Sequence, residues 1–83
     1  MNLMTYKSLI LDTIDNAQGI KGTELGMRVM SVVNPHKFVS AEYHHELDEL
    51  VRLGEIIEVK YILPEAGYTT KSFYLPKGTA VTL

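Results

Sequence analysis

The spacing of apolar residues changes from a helical period to a strand period at Gly54, and this change restricts the chain to mixed α+β architectures. Before Gly54, apolar side chains recur every three or four residues in three separate segments. After Gly54, the apolar period falls to two over residues 57–63. The pattern therefore predicts helices in the first two thirds of the chain and strands in the last third.

The chain has room for one small hydrophobic core. It contains 83 residues, of which 46 % are hydrophobic and 22 % are charged, a balance typical of a globular protein. We interpret residues 1–83 as a single domain, with a core over about 5–76 and a short tail at each end. No apolar run of membrane length and no basic leader is present in the sequence. We therefore expect a cytoplasmic protein that does not engage a membrane.

Two amphipathic helices are predicted in the first part of the chain. The first spans 5–17, where Thr5 is suited to cap the opening turn and Gly19 to stop the helix in a left-handed conformation. The second spans 24–32, with Thr23 as its N-cap. It ends before Pro35, because the residue that precedes a proline avoids helical angles.

A third helix is predicted over 41–53, with Ser40 as its N-cap and Gly54 just beyond its last turn. Its apolar stripe includes Leu47, Leu50 and Leu53, which we expect to point inward. Three such helices bury their stripes by packing around a common centre. The predicted helical core consists of Leu9, Ile10, Ile14, Leu25, Val29, Leu47 and Leu50.

Two strands are predicted after the third helix, over 57–63 and 68–75. The residues between them, Pro64-Glu65-Ala66-Gly67, form a turn cluster, so the strands pair as an antiparallel hairpin. A hairpin alone is marginally stable in water, and this one must therefore lie on the helices. We expect it to do so through Ile57, Val59, Phe73 and Leu75.

The order of elements resembles the winged helix-turn-helix superfamily. Residues 46–56, ELDELVRLGEI, are similar to the L-x-x-L-x-x-x-G-x-I junction between the recognition helix and the wing of that family. Leu25, the segment Phe38-Val39-Ser40 and the return strand ending Tyr74-Leu75-Pro76 extend the likeness over nearly the whole chain. The resemblance implies an α+β fold with a three-helix core and a C-terminal β-hairpin wing. It also implies that Ile20 forms a very short first strand paired with the hairpin.

The resemblance further implies that the chain is a small DNA-binding protein, a transcriptional regulator or accessory factor. The third helix would enter the major groove, while the wing would contact the backbone of duplex DNA. The wing lysines make a wing-led mode of binding reasonable, since phosphate affinity depends on cations. The candidate nucleic-acid contacts are Lys60, Lys71, Tyr68, Arg28, Lys37 and Arg52.

The charge of the third helix supports an alternative, a winged-helix module that binds a protein or a second copy of the chain. Residues 41–53 contain four acidic residues and one basic residue, and the whole chain has a formal net charge of −2. Carboxylates near phosphates oppose DNA binding. Apolar tails also favour a protein partner or a homodimer, and their apolar members are Met1, Leu3, Met4, Ala80, Val81 and Leu83.

Catalytic and metal chemistry have little support in the sequence. The chain has no cysteine, which excludes thiol catalysis and thiolate metal sites. The i, i+4 pairs His44/Asp48 and His45/Glu49 have the spacing of helical metal ligands, but this spacing is also ordinary on a solvated helix face. No nucleophile triad and no phosphate-binding loop is present. We expect neither an enzyme nor a cofactor nor a small-molecule substrate.

Overall fold

The computed structural model describes residues 5–80, which form three helices and a three-stranded antiparallel sheet. The tail residues Met1, Leu3, Met4, Val81 and Leu83, on which the self-association hypothesis partly depends, lie outside this range. The helices are α1 (Tyr6–Ala17), α2 (Gly22–Val33) and α3 (Ser40–Arg52), the strands are β1 (Ile20–Lys21), β2 (Ile56–Leu63) and β3 (Thr69–Pro76), and a 3-10 turn covers Pro64–Ala66.

The sheet joins the short segment between α1 and α2 to the hairpin that follows α3. Its strand order is β1-β3-β2, so that β3 lies in the middle and pairs antiparallel on both sides. Ile20 in β1 faces Tyr74 in β3, which confirms the short first strand. β2 and β3 form the predicted hairpin, here named the wing (residues 56–76). The arrangement is α+β and winged-helix-like.

The core lies between the three helices and one face of the sheet. All seven helical residues predicted to form it are buried. The prediction for the wing was wrong: Ile57, Val59, Phe73 and Leu75 are only half-buried and lie on the sheet face turned away from the core. The residues that close the core are Ile56 and Tyr74, 3 % and 6 % exposed. A one-residue difference in where the alternation begins exchanges the two faces of a strand.

The helix starts follow the sequence prediction in α1 only. Thr5 is the N-cap of α1, and its side chain and that of Ser8 bond reciprocally to each other's backbone amides. Thr23 is not a cap, since α2 begins at Gly22 directly after β1 and Lys21 holds the N-cap position. Val39 holds the N-cap position of α3, one residue before the predicted Ser40. Neither of these two helices has a side-chain cap, so their first amides are free to donate elsewhere.

A residue with left-handed backbone follows the last turn of both α1 and α3. The left-handed residue that ends α1 is Gln18, with φ 55°, and not the predicted Gly19. Gly54, with φ 74°, follows α3 as predicted. The amides of Glu55 and Gly54 donate to the carbonyls of Leu50 and Val51, a Schellman motif that turns the chain into β2.

Leu53 does not point inward as predicted. It occupies the C-cap of α3 and is 56 % exposed. The reason is geometric, because Leu53 follows Leu47 by six residues, which in a helix of about 3.6 residues per turn places it about 120° around the axis from Leu47 and off the buried stripe. No helix in the described range 5–80 combines the length and the apolar character that a bilayer crossing needs.

Candidate nucleic-acid interface

A groove of about 570 Å3 separates α3 from the wing. It is named here the wing groove. Its rim carries polar groups from three elements: Thr23 in the first turn of α2, His44 and Asp48 on α3, and Thr70 and Ser72 on β3. Its apolar floor includes Met30, Phe38 and Leu47, with the exposed side chain of Met27 at one side.

The groove exists because β1 is short. β1 ends at Lys21, which pairs with Phe73, and the chain then turns directly into α2. Within the described part of the chain, residues 69–72 of β3 therefore have no strand beside them on that edge. Gly22 permits the close approach at this corner, since a Cβ there would lie only 3.2 Å from the ring of Tyr74 and 3.4 Å from the carbonyl oxygen of Ser72.

The acidic residues of α3 are divided between two sides of the helix. Asp48 borders the wing groove, whereas Glu42 and Glu46 line a separate hollow of about 710 Å3 beside the start of α1. Glu49 is the third glutamate and forms an ion pair with Arg52 one turn later. The hydrogen bond from the Arg52 guanidinium lowers the pKa of the Glu49 carboxyl. The wing groove thus receives one of the four carboxylates of α3.

The two predicted arginines pair with acids on their own helices. Arg28 donates to Glu24 at 2.7 Å, across one turn of α2, and Arg52 donates to Glu49. Both pairs are exposed, and such pairs contribute little to stability. Neither arginine lines the wing groove. Each of these charges is matched by an acid about one turn away, and the assignment of Arg28 and Arg52 as phosphate contacts stays a prediction.

The predicted wing residues lie on different parts of the hairpin. Lys71 lines the wing groove at the free edge of β3, although its register with Tyr61 assigns it to the outer face of the sheet. Lys60 pairs with Ser72 and therefore belongs to the core-side face, on the outer strand β2 and outside the lining of the groove. Tyr68 is at the wing tip, 74 % exposed and with φ 61°.

Lys37 lies in the exposed turn between α2 and α3, next to Phe38 of the groove floor. The ion pairs among the described residues involve Arg28, Arg52 and Lys77, so that Lys37 and Lys71 are uncompensated there. The structure therefore brings one predicted residue, Lys71, to the wing groove and leaves Lys37 and Tyr68 outside its lining.

Sequence reasoning missed a polar network on the core side of the wing. The Glu58 carboxylate accepts hydrogen bonds from the Ser72 hydroxyl at 3.0 Å and from the Tyr74 hydroxyl at 2.9 Å. Burial, reinforced by the hydrogen bond to Glu58, raises the pKa of Tyr74. The strand period contained the signal, because Glu58 follows the inward-facing Ile56 by two residues.

A second missed feature is the hydroxyl of Tyr43 beneath the wing groove. Tyr43 is 3 % exposed, and its hydroxyl has no hydrogen-bond partner among the described residues. Burial raises the pKa of Tyr43 to about 12. A Cβ added at Gly26 would lie 3.6 Å from this hydroxyl, an ordinary van der Waals distance, so α2 passes close above the Tyr43 ring.

An aromatic cluster holds α3 against α1 at the other end of the groove floor. The rings of Tyr6 and Phe38 meet edge to face with centroids 5.7 Å apart, and Phe38 is 5.3 Å from Tyr43. The Val39 amide donates to the Tyr6 hydroxyl at 2.7 Å. This bond connects α1 to the N-cap of α3 and fixes the direction in which α3 leaves the turn.

The two histidines lie on different sides of α3. His44 and Asp48 border the wing groove, whereas His45 lies in the hollow beside α1. Within residues 5–80, no three potential metal ligands are grouped to hold an ion.

Comparison of the chain with protein-family models, with curated proteins and with solved structures gives no match.

Proposed function

We propose that this chain is a winged-helix protein that binds duplex DNA at the wing groove. The observation that supports it best is the division of charge on α3. Three glutamates occupy the flank toward α1 or pair with Arg52, and Asp48 alone borders the groove. The acidic residues that argue against DNA in the sequence are therefore largely directed away from the surface where a backbone would lie.

The groups around the wing groove are suited to phosphate contacts. The first amides of α2 have no side-chain cap and stand at the positive end of that helix. The hydroxyls of Thr23 and Thr70 lie at the rim of the groove as neutral donors. Lys71 adds an uncompensated cation at the rim, and Lys37 adds another beyond the floor. With so few cations, we expect weak binding that depends on salt.

The charge of Lys71 provides the direct test of this proposal. Fluorescence anisotropy of a labelled random-sequence duplex, titrated at several salt concentrations, gives the salt slope. Lys71→Glu should weaken binding to all sequences alike and reduce the slope by about 1, because one phosphate contact is lost.

Lys7→Glu is the matched control for the Lys71 variant. Lys7 is exposed on α1 and lines the hollow that holds Glu42 and Glu46, so this variant changes net charge equally on the opposite flank. It should leave the slope unchanged. Equal slopes for the wild type and both variants would remove the wing from the interface.

A second candidate function is the recognition of a protein. The apolar floor of the wing groove favours it, as do the exposed side chains of Met27 and Leu53, 69 % and 56 % exposed. In that case the acidic flank of α3 would remain free, and the groove would accept an apolar segment of the partner. Failure to bind duplex DNA even at low salt would favour this candidate over the first.

A further inference from the structure

The outer edge of β2 is an open edge of the sheet. Among the described residues β2 pairs with β3 on one side and with no strand on the other. It is eight residues long, and its register with β3 runs without a bulge from Ile56 to Leu63. Proteins usually protect an open edge by combining prolines, lysines and bulges. β2 contains no proline and one lysine. An edge of this kind is a template for pairing with another strand.

The sequence of β2 is complementary to itself in one antiparallel register. If Val59 faces Val59 of a second copy, Glu58 faces Lys60 of that copy, and Lys60 faces its Glu58. Moving the centre by one residue in either direction places Glu58 opposite Glu58 or Lys60 opposite Lys60. Opposite charges across two strands are favourable and like charges are unfavourable, so the charges select the register centred on Val59.

The apolar residues agree with the same register. Ile57, Val59 and Tyr61 share the outer face of the sheet, where each is half-buried. In the register centred on Val59, Ile57 meets Tyr61 of the second copy and the two valines meet at the centre. The half-buried apolar face of β2 in one copy thus continues across the interface into the same face of the other copy.

We propose that two copies of this chain form a symmetric dimer through antiparallel pairing of their β2 strands about Val59. The two three-stranded sheets become one continuous sheet. The interface is isologous, as a twofold dimer requires. No residue of β2 lines the wing groove, so the groove of each copy stays open. The pairing does not depend on the proposed DNA binding.

A cysteine at the centre of the interface tests the register. The chain has no native cysteine, so that Val59→Cys introduces a single thiol. In the proposed register the two Cα atoms at this position are about 4.5–5.5 Å apart, within the range that a disulfide spans. Mild oxidation should therefore link most of the protein as a covalent dimer.

Tyr61→Cys is the matched control, since it lies on the same face two residues further along β2. It faces Ile57 of the second copy and should not link to itself. A mixture of Ile57→Cys and Tyr61→Cys chains should link to each other. Equal self-linking of Tyr61→Cys, or a monomeric mass for the wild type over a dilution series with no Val59→Cys dimer, would overturn the proposal.

A charge exchange tests the pairing without a covalent bond. Lys60 is exposed, and Lys60→Glu places like charges opposite each other twice in the dimer. It should raise the dissociation constant of the dimer about tenfold. Adding Glu58→Lys chains should restore association, because each chain then meets opposite charges. If Glu58→Lys fails to fold, Lys60→Gln should give an intermediate constant, and identical constants for the wild type, Lys60→Gln and Lys60→Glu would contradict the pairing.

Discussion

At the scale of single residues, two buried tyrosines show that hydrogen-bond partners decide whether a buried hydroxyl stabilises the fold. The Tyr74 hydroxyl donates to the Glu58 carboxylate, and the bond connects the middle strand of the sheet to β2. The Tyr43 hydroxyl is buried as deeply but has no partner among the described residues. A hydrogen bond to a charged group is worth more than a neutral one, whereas an unpaired buried hydroxyl costs free energy.

Removing each hydroxyl should therefore change stability in opposite directions. Tyr74→Phe should lower the free energy of unfolding by about 1.5–3 kcal/mol, and Tyr43→Phe should raise it by about 1 kcal/mol. Urea unfolding at neutral pH measures both. Tyr68→Phe, at the exposed wing tip, is the control and should be neutral. A loss of stability in Tyr43→Phe would show that its hydroxyl is paired after all.

At the scale of elements, α3 connects the core to the wing and contributes a different surface on each side. Leu47 and Leu50 lie in the core, the glutamates lie on the flank toward α1 or pair with Arg52, and Asp48 borders the wing groove. The Schellman motif after α3 directs the chain into β2 one residue earlier than the apolar alternation predicts. The end of one helix thus decides which face of the wing meets the core.

Two leucines of α3 should respond very differently to truncation. Leu47 is 4 % exposed, and Leu47→Ala should cost about 2–5 kcal/mol, since it leaves a cavity among the helices. Leu53 is 56 % exposed at the C-cap, and Leu53→Ala should change stability by less than about 0.5 kcal/mol. Thermal melts of the two variants compare them directly. Similar losses would mean that the end of α3 is packed differently.

At the scale of the whole molecule, periodicity predicts the elements well and their exact surfaces poorly. The three helices, the hairpin and the pairing of Ile20 all follow from spacing or from the family resemblance. The caps at Thr23 and Ser40 were wrong because hydroxyls are favourable at an N-cap but do not fix where the chain first turns. The wing faces were wrong because strand period does not specify the residue at which a strand begins.

The candidate site was only partly accessible from the sequence. The division of acids on α3 could have been read from their spacing, since Glu42, Glu46 and Glu49 follow an i, i+4, i+7 stripe that excludes Asp48. The wing groove could not be predicted, because it depends on β1 ending at Lys21 and on the angle at which α3 passes β3. The ion pairs of Arg28 and Arg52 could be predicted only in part. Each arginine follows a glutamate by three or four residues on the same helix, but this spacing alone does not show that the pair forms.

The most direct test of the account is a titration of isotope-labelled protein with random duplex DNA, followed by amide chemical shifts at low and then high salt. We expect the shifts to concentrate on the rim of the wing groove, at Thr23, His44, Thr70 and Lys71, and to fade as salt is added. The flank of α3 that carries Glu42 and Glu46 should remain unchanged. No shifts at low salt, or shifts centred on that acidic flank, would contradict the proposed interface.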